Sequence, residues 1–268
     1  MTDDQPYREL PGGVRMPVLG LGVWQIPDGT EAQQAVEWAL EAGYRHVDTA
    51  SLYKNERSVG AALARSGLPR DQVFVTTKLM PAKLDVPREL ELSLERLGLD
   101  YVDQYLIHWP MPAVVSRQWR ALESLHEAGL AHSIGVSNFG VRRLQSLVKR
   151  AAHIPAVDQV QLSPFHYRRK LVDYCVDQGI VPVAYSPLER GKELAHPTVV
   201  ALAARLERTP AQVMLRWAVQ HGAVVIPKSS RQERIRSNAE IFDFELDAEA
   251  MQTLDALDQT GGTGRARP

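Results

Sequence analysis

Two rhythms of apolar and polar residues take turns along this chain. Short apolar runs recur at 18–23, 44–47, 73–77, 102–107, 132–136, 157–160, 180–184 and 224–226, and runs of this length bounded by turn residues predict strands. Between them apolar residues return every third or fourth position, which predicts helices. Ala32, Val36, Ala39 and Leu40 share one face of a helix over 30–43, and Leu90, Leu94 and Leu97 one face of a helix over 86–97. Similar stretches span 55–66, 119–128, 141–150, 171–178, 198–206, 210–220, 235–242 and 248–257. Gly43, Gly67, Gly98 and Gly129 stop four of these helices, Thr30 is placed to cap the first, and Pro210 sits where a helix starts. Ahead of the first strand, Gly12 and Gly13 within 10–17 read as a β-hairpin turn.

Repeated strand–helix units predict a parallel sheet. Eight of them in 268 residues predict closure into a (β/α)8 TIM barrel, class α/β, with an N-terminal β-hairpin and extra C-terminal helices. One domain over 1–268 is expected, with a disordered tail from about 260. The charge balance is 31 basic against 32 acidic residues, net −1, which gives no electrostatic case for nucleic acid or an anionic membrane. The single cysteine, Cys175, excludes an internal disulfide and reads as a buried helix residue. The N-terminus is acidic and polar, unlike a secretory signal, and no apolar run approaches a membrane span, so a cytoplasmic protein is expected.

Three strands finish in polar chemistry. Residues 44–47 run into Asp48 and a turn carrying Tyr53; 73–77 run into Lys78; 102–107 run into His108. Function in this architecture sits at the carboxyl ends of the strands. The period of two puts Tyr44, His46 and Asp48 on one face, Phe74, Thr76 and Lys78 on another, and Gln104, Leu106 and His108 on a third. If those faces point inward, Asp48, Lys78 and His108 meet at the barrel mouth. A buried ammonium needs a partner, which Asp48 supplies. The ammonium is expected to lower the Tyr53 phenol below about 10, making it a proton donor and acceptor. Each residue alone reads more simply as structure: an ion pair, or a packed tyrosine. Together at successive strand ends they suit carbonyl polarisation and protonation. No serine or cysteine nucleophile is paired with a base, and no P-loop, zinc spacing or Gly-x-Gly-x-x-Gly helix start is present.

The segments GLGVWQ (20–25), YRHVDTASLYKNE (44–56), TTK (76–78), GLDYVDQYLIHWP (98–110), IGVSNF (134–139), YSPL (185–188) and IPKS (226–229) resemble the aldo-keto reductases, in order and over nearly the whole chain, and within them the bacterial 2,5-diketo-gluconate reductase branch. The resemblance implies NADPH-dependent reduction of aldehydes and ketones, without a metal. Tyr53 would be the general acid, Lys78 and Asp48 would tune it, and His108 would orient the carbonyl. Cofactor contacts carried over by motif are Gly22, Val23, Trp24 and Asp48; Ser137, Asn138 and Gln159 at the carboxamide; Tyr185 stacked on the nicotinamide; Ser186 and Leu188 at the pyrophosphate; Ile226; Lys228, Ser229, Ser230 and Arg234 at the 2′-phosphate; and Asn238 at the adenine. Ser237 stands where relatives often carry glutamate.

Trp24, Tyr53, Met80, His108 and Trp109 would contact substrate, with Met80 replacing the family's usual aromatic near Lys78. Short segments at 80–86, 111–118 and 189–197 predict a shallow, open pocket suited to small dicarbonyls, keto-sugars and aromatic aldehydes. A monomer with a small carbonyl substrate is expected. Two other readings stay open: a non-enzymatic NADPH-binding regulatory module, and an isomerase or aldolase using Lys78 as a Schiff-base lysine.

Overall fold

The computed structural model describes residues 5–261, and its organisation follows the alternation in the sequence. The chain opens with a hairpin, β1 (Tyr7–Glu9) antiparallel to β2 (Arg15–Pro17). Gly12 and Gly13 in the turn have φ of 83° and 77°, a region that glycine enters without a Cβ penalty. Eight parallel strands follow: β3 (Leu21–Gly22), β4 (His46–Asp48), β5 (Phe74–Leu79), β6 (Val102–Ile107), β7 (Ala131–Ser137), β8 (Val157–Gln161), β9 (Val181–Tyr185) and β10 (Val224–Val225). They neighbour one another in sequence order from β3 to β10. The ends of this sheet meet at Leu19, which bridges Val225 in parallel. Gly20 N–H donates to Val225 O at 2.9 Å, and Val225 N–H to Val18 O at 2.8 Å. The sheet is therefore a closed barrel. At this seam a Cβ on Gly22 would stand 2.8 Å from the Ile226 carbonyl oxygen, so only glycine lets the two strands approach this closely.

Successive side chains point to opposite faces of the barrel wall. Val47, Val75, Tyr105, Ile107, Ile134, Val136 and Val160 belong to the large outer cluster packed beneath the helices. Phe74, Leu106, Val157, Val183 and Val224 form a second cluster with Leu10 and Met16, so the hairpin plugs the barrel at the end where β5, β8 and β10 begin. Polar residues thread the same interior: His46 Nε2 lies 3.1 Å from Thr76 Oγ1, Thr76 donates to Gln104 at 3.4 Å, and Gln104 donates to Ser133 at 3.4 Å. Buried polar groups need such partners.

The helices are α1 (Thr30–Glu41), α2 (Glu56–Arg65), α3 (Val86–Leu97), α4 (Val115–Glu127), α5 (Val141–Val148), α6 (Arg169–Asp177), α7 (Pro197–Arg205), α8 (Pro210–Gln220), α9 (Gln232–Ala239) and α10 (Ala248–Asp255). In α3 the Asp85 side chain accepts the Arg88 N–H, Val86, Leu90 and Leu97 are buried, and Gly98 ends the helix at φ 65°. Truncating Leu90 to alanine would cost about 2–5 kcal/mol in such a core.

Four expectations change. Thr30 is not the cap of α1: Gly29 takes that place at φ 105°, and its N–H is bonded by Ser58 on the neighbouring helix. α4 starts at Val115, four residues before the predicted 119. Tyr44 leaves the face of His46 and Asp48, because it precedes the ladder; its hydroxyl donates to Ile235 O at 3.1 Å. Thr260, placed in the tail, donates its N–H to Asp258 Oδ1 at 2.9 Å, and its hydroxyl lies 3.4 Å from Tyr167 O, while 262–268 fall outside the described residues. Cys175 is buried in α6, as its sequence context implied.

Candidate active site

The register between neighbouring strands assembles the site. Asp48 lies opposite Gly22 on one side and Thr76 on the other, so Lys78 rises one inward step above Asp48's level. Its ammonium is wholly buried and donates to Asp48 Oδ1 at 2.6 Å, Thr49 O at 2.8 Å and Tyr53 Oη at 3.2 Å. Three acceptors satisfy all three N–H bonds. Asp48 Oδ2 accepts from Gln159 Nε2 at 2.7 Å, which ties β4 to β8 across the barrel. Tyr53 comes from a short helical turn, Ser51–Tyr53, anchored where Ser51 Oγ donates to Lys78 O at 2.9 Å. His108 follows β6; its ring meets Tyr53 edge-to-face with centroids 5.6 Å apart. The predicted constellation of Asp48, Tyr53, Lys78 and His108 therefore comes together at the carboxyl ends of β4, β5 and β6.

The electrostatics correct one expectation. Burial alone would lower the Lys78 ammonium, but Asp48 and Tyr53 raise it, so it stays charged. Burial raises Tyr53 more than Lys78 lowers it, so the phenol ends above its ordinary value and not below. It is a firmly protonated donor beside a fixed cation. Burial, helped by Lys78, lowers His108 to about 3, which keeps the imidazole neutral at physiological pH. His108 Nδ1 is buried and has no partner among the described residues.

The second half of the mouth holds the residues expected to touch a cofactor. Asn138 adopts φ 65°, Nδ2 donates to His108 O at 3.1 Å and to Ser137 Oγ at 3.0 Å, and Oδ1 accepts from the Tyr185 hydroxyl at 2.8 Å. Ser137 Oγ donates to Gln159 O at 2.9 Å. Gln159 thus contacts Asp48 and the Ser137 turn together. Ser186 and Glu189 take left-handed φ of 48° and 47° after β9, with Leu188 half-buried between them. Lys228 and Arg234 are exposed and make no ion pair among the described residues, while Ser229 Oγ accepts the Arg231 N–H at 3.1 Å. This loop leads into α9, which starts three residues earlier than predicted and carries Arg234 in its first turn. Ser230 is half-buried beside it, and Asn238 is buried on α9. Val23 and Ile226 are buried at the seam with Gly22.

Exposed apolar residues cluster on the loops of the first half. Trp24 (39% exposed), Trp109 (36%) and half-buried Met80 are joined by Leu52, Leu84 and Met111, which the sequence reading missed. Their signal was available: each follows the carboxyl end of a strand already marked by Asp48, Lys78 or His108. Two further residues were not singled out. The Glu189 carboxylate accepts from Gln161 Nε2 at 3.1 Å and Ser163 Oγ at 2.5 Å, and the Arg190 guanidinium stacks 4.8 Å over the Trp24 ring.

The Aldo/keto reductase family profile matches residues 18–259. A Mycolicibacterium vanbaalenii aldo-keto reductase is 50% identical over 94% of this chain and 91% of its own length. A Bacillus subtilis glyoxal reductase is 45% identical over 96% of this chain and 94% of its own. The crystal structure of a Bombyx mori aldo-keto reductase in complex with NADP superposes with a TM-score of 0.90 at 34% identity, covering 98% and 95% of the two chains.

Proposed function

From the premise that this chain belongs to the aldo/keto reductase family, we propose that it reduces aldehydes and ketones to alcohols with NADPH, Tyr53 acting as the general acid. The observation that carries the reading is the buried Asp48–Lys78–Tyr53 chain beside a neutral His108 whose buried Nδ1 has no partner among the described residues.

The residues fit the cofactor. Cations at the start of α9 with no ion pair among the described residues suit a 2′-phosphate, and the loop assigned to the pyrophosphate carries left-handed backbone at Ser186 and Glu189. Tyr185, at the end of β9, offers a ring-sized face to the nicotinamide. NADPH, when bound, supplies the hydride. The chain's own residues do the rest. His108 offers a neutral imidazole to the carbonyl oxygen and orients it. Tyr53 gives its proton to that oxygen as negative charge develops there. The Lys78 ammonium stabilises the phenolate left behind, and Asp48 holds the ammonium in place. General acid catalysis of this kind contributes about 10²–10⁴-fold.

Small dicarbonyls are the first substrates of the proposal, supported by the Bacillus relative named a glyoxal reductase and by the exposed apolar surface that Trp24, Trp109 and half-buried Met80 present on the loops after β3, β6 and β5. Keto-sugars and aromatic aldehydes follow. Among the described residues no helix is long and apolar enough to cross a membrane; a cytoplasmic, monomeric enzyme with one barrel domain completes the proposal.

The test is NADPH oxidation with methylglyoxal and benzaldehyde, run beside NADH and beside Tyr53→Phe. Carbonyl-dependent turnover preferring NADPH, abolished by Tyr53→Phe with NADPH affinity intact, is expected. Retained turnover in Tyr53→Phe sinks the assignment of the acid. No turnover with NADPH still bound favours an NADPH-binding regulatory module instead.

A further inference from the structure

On the outer surface, between α4 and α5, lies a groove of about 490 Å³ that no step of the reaction uses. Its floor is apolar: Trp119, Phe139 and Leu147 line it, and all are buried in the barrel's outer core. Its rim is cationic: Arg120, Arg143 and Arg150 line it as well, all exposed. None of the three forms an ion pair among the described residues, although the chain as a whole is nearly neutral at −1. Asp158, nearest to Arg150 in sequence, is wholly buried and accepts the Phe139 N–H, and the glutamates near Arg120 are engaged elsewhere. Glu123 accepts from Trp119 Nε1 at 3.0 Å and from the Ala152 and His153 N–H groups, and Glu127 faces His153. No acidic residue lines the groove.

Three guanidinium groups without carboxylates, above an apolar floor, leave a definite complement. Arginine forks match carboxylate, sulfonate or phosphate oxygens in pairs. A cavity of this volume is the size that takes a small organic ligand. Inorganic anions would satisfy the rim and leave the floor wet, and a neutral apolar molecule would cover the floor and leave the rim unpaired. We propose that this groove is a binding site for a small amphipathic organic anion, an apolar body with one carboxylate, sulfonate or phosphate head. Pro110 and Pro112 line it as well, and they follow Trp109 in sequence.

The probe is decanoate, with decanol and inorganic sulfate as controls, measured by calorimetry on the intact protein. Decanoate is expected to bind, and each control to bind at least tenfold more weakly. Arg143 and Arg150 are exposed and unpaired, so Arg143→Gln with Arg150→Gln should fold normally. That pair should weaken decanoate at least tenfold and leave NADPH-dependent turnover of methylglyoxal unchanged. Ser146→Trp fills the groove without touching its charge and should weaken decanoate similarly. Decanoate affinity unchanged in both variants places the anion elsewhere, the barrel mouth included, and overturns the inference. Decanol binding as tightly as decanoate reduces the groove to an apolar patch, and sulfate binding as tightly reduces it to an adventitious ion site; either result overturns it too. Turnover is read separately, so absence of reductase activity leaves the decanoate result to be judged alone.

Discussion

Lys78, on β5, and Lys228, after β10, stand at the same end of the barrel and live in different physical worlds. Lys78 is wholly buried, with three acceptors within 3.2 Å. Lys228 is exposed, and it and Arg234 make no side-chain hydrogen bond among the described residues. The strands that carry Asp48 and Lys78 are fully buried, while left-handed residues occur on the loops of both sides, Lys54 and Ala82 on one and Ser186, Glu189 and Arg190 on the other, at about 1–3 kcal/mol each. The corner of Asp48, Lys78 and Tyr53 is already assembled, as the proposed catalysis needs. The proposed phosphate side keeps its cations exposed. Electrostatic preorganisation at the reacting atoms favours the transition state, while the open cations at the far end are the groups the proposal assigns to the 2′-phosphate.

The largest effect should come from breaking the ordered side. Lys78→Met leaves Asp48 buried with Gln159 alone, and removing one member of a buried pair costs about 3–5 kcal/mol. Denaturant unfolding should show that loss, and kcat for methylglyoxal should fall by about 10²–10⁴-fold with the ammonium that stabilises the Tyr53 phenolate gone. A variant with wild-type stability would show that the pair is not the anchor described. On the open side, Lys228→Met should raise the KM for NADPH by about 10–100-fold, the worth of one charged hydrogen bond, with kcat and the KM for NADH nearly unchanged. Equal effects on both cofactors would remove Lys228 from the 2′-phosphate.

The ordered side also predicts a pH dependence. His46 and His108 are each lowered to about 3 by burial and by Lys78, from an ordinary 6.5. Between those values the unfolded chain binds protons that the folded chain refuses. Their contribution is therefore complete above 6.5 and is lost as pH falls toward 3, by up to about 1.4 kcal/mol per pH unit for each histidine. Urea unfolding at pH 7 and pH 5 should show it, and His46→Gln should flatten the slope. A slope unchanged by that substitution would mean that His46 titrates normally. The smallest effect belongs to Glu189, whose carboxylate occupies Gln161 and Ser163 on the loop expected to hold the pyrophosphate. Glu189→Gln removes an anion there and should lower the KM for NADPH by a few-fold, about 0.5–1 kcal/mol; an increase would make Glu189 a loop anchor only.

The same contrast explains what the sequence disclosed. Val86–Leu97, Val102–Ile107 and Pro210–Gln220 were legible to the residue because their boundaries are set by local signals: a proline, a glycine, a change of period. β3 and β10 came out shorter than their apolar runs, because pairing there depends on a partner some two hundred residues away. Asp48, Lys78 and His108 could be read from strand periodicity alone. The Thr49 carbonyl could not, since a backbone acceptor leaves no mark on composition. Nor could the direction of the Tyr53 shift, which depends on how deeply the finished barrel buries the phenol. Glu189 reaching back to Ser163 is another contact that only the closed ring creates.

The seam at Gly22 and Ile226 also has a consequence for synthesis. Asp48, Tyr53, Lys78 and His108 are all translated by position 108, yet the ring they face is completed only by Val224 and Val225. On the ribosome, the first strand waits, unpaired on one edge, until the last one emerges. Closure is thus a late event of long sequence separation, the kind that loop entropy makes slow. Until it happens, the hairpin plug has no Val224 to seat against, and the nascent chain exposes two strand edges that a chaperone or a neighbouring chain can reach first.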